Sequence, residues 1–122
     1  MGIIKLKEYN RIWVVDSFYK ELRILLSGYG KAKEFYVWFD TRLKMLDAKD
    51  LNVISEFPKQ FETIKNQPGI YCITYRNRQK NIRVLFTIDK TNNRVLLYPF
   101  NERRKNDYIN ALKISNYRMG GY

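Results

Sequence analysis

The chain has 122 residues, 45% of them hydrophobic and 16% aromatic, with 23 Lys and Arg against 12 Asp and Glu for a formal net charge of +11. That length supports one hydrophobic core, so a single domain over 1–122 is expected; the apolar content excludes disorder, and no uncharged apolar run reaches the ~18 residues of a membrane span. Histidine is absent and Cys72 is the only cysteine, which excludes an intramolecular disulfide, an ordinary zinc site and Ser-His or Cys-His nucleophiles.

Arg11–Val15 is a β-branched and aromatic run that predicts a strand, extending back towards Ile3 and Ile4. Asp16 and Ser17 are helix caps, and Phe18, Leu22, Leu25 and Leu26 make the apolar stripe of a first helix over Phe18–Leu26. Ser27-Gly28-Tyr29-Gly30 ends it. A longer helix is predicted over Ala32–Asp47, with Ala32, Phe35, Tyr36, Phe39, Leu43 and Leu46 on one face. The polar stretch 49–67, which carries Pro58, predicts a connection with a short turn of its own. After the turn at Gln67-Pro68-Gly69 come three β-rich runs, Ile70–Arg76, Ile82–Asp89 and Arg94–Phe100, as an antiparallel meander. The loop 90–93 has hairpin length, and Asn92-Asn93 tolerates the positive φ such a loop needs. A last helix is predicted from Asn106 or Asp107 to Tyr117, followed by a fraying tail, Arg118–Tyr122. The order β-α-α-β-β-β-α predicts an α+β fold, an antiparallel sheet with helices packed on one face and the other face open.

Charge is uneven along this order. Residues 76–122 hold 11 Lys and Arg against 3 Asp and Glu, whereas residues 1–75 hold 12 against 9. Such a concentration points to a polyanion, RNA above all. Alternation on the middle strand puts Ile82, Val84, Phe86 and Ile88 in the core, and therefore Arg83 on the open side. An arginine there either meets a ligand or covers a solvated face, alone or paired with a carboxylate such as Asp89. Glu102-Arg103-Arg104-Lys105 adds a cationic strand-to-helix junction beside Tyr108, and the helix N-terminus offers further N–H groups.

If this surface cleaves RNA, Glu102 or Tyr108 would be the base, Arg83 and Arg103 would stabilise the phosphorane, and a lysine or arginine would protonate the leaving oxygen. Tyr108 could equally stack on a base. No metal and no cofactor are expected. The first residues lack the apolar core of a signal peptide, so a cytoplasmic location is expected.

The segments 69–76 (GIYCITYR), 81–89 (NIRVLFTID) and 95–100 (VLLYPF), with 12–23 (IWVVDSFYKELR) ahead of a second helix, resemble the RelE/ParE superfamily of toxin–antitoxin toxins, in particular its HigB-like, phage-derived branch. That resemblance implies a ribosome-dependent mRNA endonuclease that arrests translation and acts by 2′-hydroxyl attack without a metal. Arg83 would bind the scissile phosphate, with Ile82 where a tyrosine is usual. Arg103 or Arg104 would aid catalysis, and Tyr108, ahead of Ala111, would pack on the substrate base. Cys72 and Thr74 stand where RelE itself carries lysines; Arg76, Arg78 and Lys80 are the nearby replacements, and with Arg104 and Lys105 they are the expected RNA-binding cations. The implied partners are mRNA on the ribosome and an acidic antitoxin of helix-turn-helix type. The ParE branch implies instead a non-enzymatic inhibitor of gyrase, and the charge alone allows a basic nucleic-acid-binding module.

Overall fold

The computed structural model of the chain describes residues 2–48 and 53–122. Its elements are β1 (Ile3–Lys5), β2 (Ile12–Val15), α1 (Phe18–Leu26), α2 (Ala32–Ala48), α3 (Val53–Glu56), β3 (Phe61–Thr63), β4 (Tyr71–Arg76), β5 (Asn81–Ile88), β6 (Arg94–Asn101) and α4 (Lys105–Gly120). The fold is α+β. A six-stranded sheet runs β1-β2-β6-β5-β4-β3, antiparallel throughout except where β2 lies parallel to β6.

The predicted helices and meander strands form where the apolar periodicity places them. Gly28 takes φ 76° just after α1, and Asn92 takes φ 66° in the β5–β6 hairpin. Asp89 shapes that hairpin, its Oδ1 accepting from the Thr91 and Asn93 backbone N–H groups and from the Thr91 hydroxyl. Three elements go beyond the expected order. Ile3–Lys5 is a separate strand folded back antiparallel on β2. The connection, of which residues 49–52 lie outside the described ones, contains α3 and the edge strand β3. The last helix continues to Gly120, and Arg118 is buried rather than part of a fraying tail.

The helices do not all lie on one face, which corrects the expected layering. Phe18 and Leu22 of α1 and Phe35, Phe39 and Leu43 of α2 pack with Ile73, Ile82, Val84 and Phe86 on one side of the sheet. Alternate strand residues Cys72, Leu85 and Phe100 form a second cluster with Ala111 of α4. Because neighbouring strand positions point to opposite faces, α4 covers part of the side expected to be open.

The sheet has one local edge in its interior. β2 pairs with β6 only from Arg94 to Leu96, so Leu97–Asn101 has no strand on that side. Glu102 N–H donates to the Asn81 carbonyl, and the antiparallel alternation from that bond aims Pro99 away from β5. Proline, with no N–H to give, is tolerated there because no ladder bond is lost. A register shift opposite Leu85 and Phe86 leaves Leu97 as the extra residue of a bulge. Arg118 of α4 closes the gap. Its guanidinium donates to the Leu97 carbonyl at 2.7 Å and pairs through both terminal nitrogens with Glu21 of α1, with 9% of its side chain exposed. Arg118→Ala would leave the enclosed Leu97 carbonyl without its donor and the partly buried Glu21 carboxylate without its counter-charge. It should lower the unfolding free energy by about 3 kcal/mol in urea denaturation.

Candidate nucleic-acid interface

Arg83 stands on β5 on the side predicted, opposite Thr74 of β4 and Phe100 of β6. It is enclosed there, with 13% of its side chain exposed. Its Nε lies 2.8 Å from Glu102 Oε2, and a terminal nitrogen donates to the Thr74 hydroxyl at 3.0 Å and lies 3.9 Å from Glu62 Oε2. The contact with Glu102 is Coulombic rather than directional, since neither Arg83 Nε nor Glu102 Oε2 has an aligned hydrogen-bond partner. Arg76 lies on the same face, exposed, 3.2 Å from Glu62 Oε1. Two guanidiniums thus face two carboxylates, and the centre of the expected cationic site is electrically balanced. Arg83 is an ion-paired arginine, held by Glu62 and Glu102 and not by Asp89.

Tyr108 belongs to the same cluster. Its ring centre is 5.8 Å from the Arg83 guanidinium and meets Phe100 edge-on at 5.5 Å. Burial, followed by the neighbouring Cys72, raises its phenol far above the ordinary tyrosine range. Tyr108 therefore keeps its proton at neutral pH, and its ring packs against Phe100 and the Arg83 guanidinium. Glu102 is placed as a counter-ion to Arg83, so a phosphate at the guanidinium would compete with it. Cys72, fully buried beneath them, has its thiol pushed up by desolvation.

The loop cations turn elsewhere. Asn101 and Arg103 flank Glu102 in sequence but open onto the opposite flank of α4, into a groove of about 810 Å³ along the unstranded edge of β6. Its walls are Ile24 and Leu25 of α1 and Asn110 and Ala111 of α4; Tyr98–Asn101 form the floor, and Lys80, Arg103 and Arg104 also line it. The two acids that reach this groove are committed. Glu21 is bound to Arg118, and Asp107 Oδ2 accepts from the backbone N–H groups of Arg103 and Arg104 at 2.9 and 3.0 Å. That carboxylate fills the α4 N-terminus expected to receive a phosphate. Among the described residues no salt bridge engages Lys80, Arg103 or Arg104.

The candidate residues therefore fall into two sets. Arg83, Glu102 and Tyr108 converge, with Arg76 joined through Glu62, while Lys80, Arg103 and Arg104 share the groove. Arg78 on the β4–β5 loop and Lys105 at the start of α4 are exposed and line neither. Glu62 was missed because β3 falls in a stretch read as connection; the alternation Phe61-Glu62-Thr63 ahead of the Gln67-Pro68-Gly69 turn was its only signal. Ile24, Leu25 and Asn110 carry no local mark of a groove. Among the described residues there is no group of three or more Cys, Asp or Glu side chains placed to hold a metal, and no helix is long and apolar enough to cross a membrane. Neither the protein-family models nor the curated proteins compared with the sequence match it.

Removing Arg83 would leave Glu62 and Glu102 facing each other in a confined place. Arg83→Ala should lower the unfolding free energy by about 2 kcal/mol; a change within about 0.5 kcal/mol would mark it as an uncommitted surface residue. The loop itself carries a pH signature. The backbone donors of Arg103 and Arg104 hold the Asp107 carboxyl below its usual value. This contact therefore stabilises the fold above the unfolded pKa of about 4 and is lost as pH falls through the lower folded value. The Arg103 and Arg104 amides should shift together below about pH 4 in NMR spectra, and Asp107→Asn should remove that step.

Proposed function

We propose that this chain is a basic RNA-binding domain that seats a single-stranded segment in the groove between α1 and α4. The observation that carries this reading is the set Lys80, Arg103 and Arg104, which share one groove without salt-bridge partners while the acids beside them are held by other groups. Three cations provide for successive phosphates. The side-chain amides of Asn101 and Asn110 supply donors and acceptors for sugar or base edges, and Tyr98, its ring stacked on Phe100 and against the Arg118 guanidinium, gives the floor an apolar surface. An acidic protein would satisfy the charge, but a groove lined by amides and cations suits a strand of phosphates better than scattered carboxylates.

The toxin reading implied by the RelE/ParE resemblance stands second. What favours it is that Arg83 and Tyr108, two of the residues the resemblance singles out, meet in one cluster with Glu102, although Arg103 and Arg104 open onto the groove. In that reading mRNA on the ribosome would have to compete with Glu102 for Arg83, and an acidic antitoxin would cover the cations. Binding at the groove faces no such competition, which is why it leads.

Affinity for a single-stranded RNA should fall steeply with salt, and each of Lys80→Gln, Arg103→Gln and Arg104→Gln should reduce the slope of log K against log salt by about 0.7. Arg83→Ala, if it remains folded, should leave that slope unchanged. Salt-independent binding, or a slope set by Arg83 alone, would refute the groove. Induced expression separates the second reading: growth arrest with cut mRNA, relieved by Arg83→Ala and Tyr108→Ala, would place catalysis in the paired cluster.

A further inference from the structure

The RNA reading leaves unused a second cavity, of about 380 Å³, which shares no residue with the groove. Its walls are Glu8 and Tyr9 from the β1–β2 turn, Tyr19 from α1, and Tyr36, Phe39 and Asp40 from α2. Tyr36 and Asp40 are one helical turn apart and so share a face. Tyr19 and Tyr36 are half-buried and Phe39 is buried, so these aromatic walls belong to a cleft in the packed structure and not to an open surface.

The charges point to a cation. Asp40 is held in place: its Oδ1 accepts from the Tyr9 hydroxyl, and its Oδ2 is 3.0 Å from the Lys44 ammonium at the rim. These two donors keep the Asp40 carboxyl below its usual range, so it stays charged at neutral pH. Glu8 is exposed and, among the described residues, has no salt bridge. It is an uncompensated carboxylate in a chain where cations outnumber acids nearly two to one. The negative field registers on Tyr19, whose phenol is pushed up to about 12 by burial first and then by Glu8, Tyr36 and Asp40. The opposing charges at its margin are the Lys44 ammonium, the Arg23 guanidinium, felt by Tyr36, and the Lys5 ammonium, which is held by the Tyr9 and Leu6 carbonyls.

We propose that this cavity binds the methylated ammonium group of an organic cation. Tyrosine faces attract such a group electrostatically, and its weak hydration lets it leave water for a wall of rings. A hard metal ion is a poor match, because both Asp40 oxygens are already engaged and Glu8 is the remaining carboxylate. An anion would meet two negative charges. A neutral apolar ligand would desolvate Glu8 with no return. A primary ammonium needs more acceptors than Glu8 provides.

The test uses the intact chain and the isosteric pair choline and 3,3-dimethylbutanol, which differ in charge at one atom, followed by NMR. Choline should give saturable shifts at Tyr9, Tyr19, Tyr36 and Asp40 and bind at least about tenfold more tightly than the neutral isostere. Glu8→Gln, an exposed change that leaves packing intact, should weaken choline about threefold. Tyr36→Leu should weaken it about tenfold, and both variants should keep the RNA affinity of the parent chain. Equal binding of choline and its isostere, or no saturable shift at these residues in a folded protein, would overturn the proposal. Comparison with N-acetyl-trimethyl-lysine amide then decides the source: tighter binding than choline means a peptide-borne group, weaker binding a free small cation.

Discussion

The early end of β2 governs the rest of the architecture. Because β2 leaves β6 at Leu96 and the chain turns into α1 three residues after Val15, the second half of β6 lies inside the molecule without a strand beside it. Buried backbone groups cannot be left bare, and the fold meets that demand with one ion pair. Arg118 reaches from α4 across to Glu21 of α1 and fills the Leu97 carbonyl on the way. Two helices on opposite faces of the sheet are thereby pinned at one end of the edge and diverge at the other. The groove is the space left between them, and Pro99 marks in the sequence the strand segment that never acquires a neighbour.

Acids are scarce in this chain, and where they are used decides which cations stay free. Glu62 and Glu102 are drawn to Arg83 because a guanidinium confined in a sheet cannot be left without counter-charge. Asp107 is drawn to the backbone of the loop that precedes α4 because helix N-termini leave donors exposed. Neither choice touches Lys80 or the side chains of Arg103 and Arg104 in a salt bridge. Lys80, Arg103 and Arg104, cations that charge counting alone would place around Arg83, thus stand on the far flank of α4. What sets the tyrosine-lined cavity apart is its set of aromatic walls, Tyr9, Tyr19, Tyr36 and Phe39, beside Glu8 and Asp40.

Geometry also separates chemistry from binding. The cluster at Arg83 has the side chains that phosphodiester cleavage could use, but each is occupied: the guanidinium by carboxylates, Glu102 by the guanidinium, the phenol by a proton that burial makes hard to lose. In the groove the two acids are committed, Glu21 to Arg118 and Asp107 to the backbone of Arg103 and Arg104, beside cations, amides and a ring.

The amino-acid sequence by itself determined the α+β class, the two amphipathic helices, the three meander strands and the hairpin at Asn92, because apolar period, glycine and asparagine act over a few neighbouring residues. It also put Arg83 on the right side of its strand, since alternation along β5 is local. Only the tertiary structure decided that Glu62, from a strand three residues long and 21 positions away, faces that arginine, that α4 covers the second face, and that Arg103 and Glu102 point to opposite flanks of one helix. Those outcomes depend on which distant segments come into contact, and a counter-charge is recruited from whatever the fold brings near, not from whatever lies next in the chain.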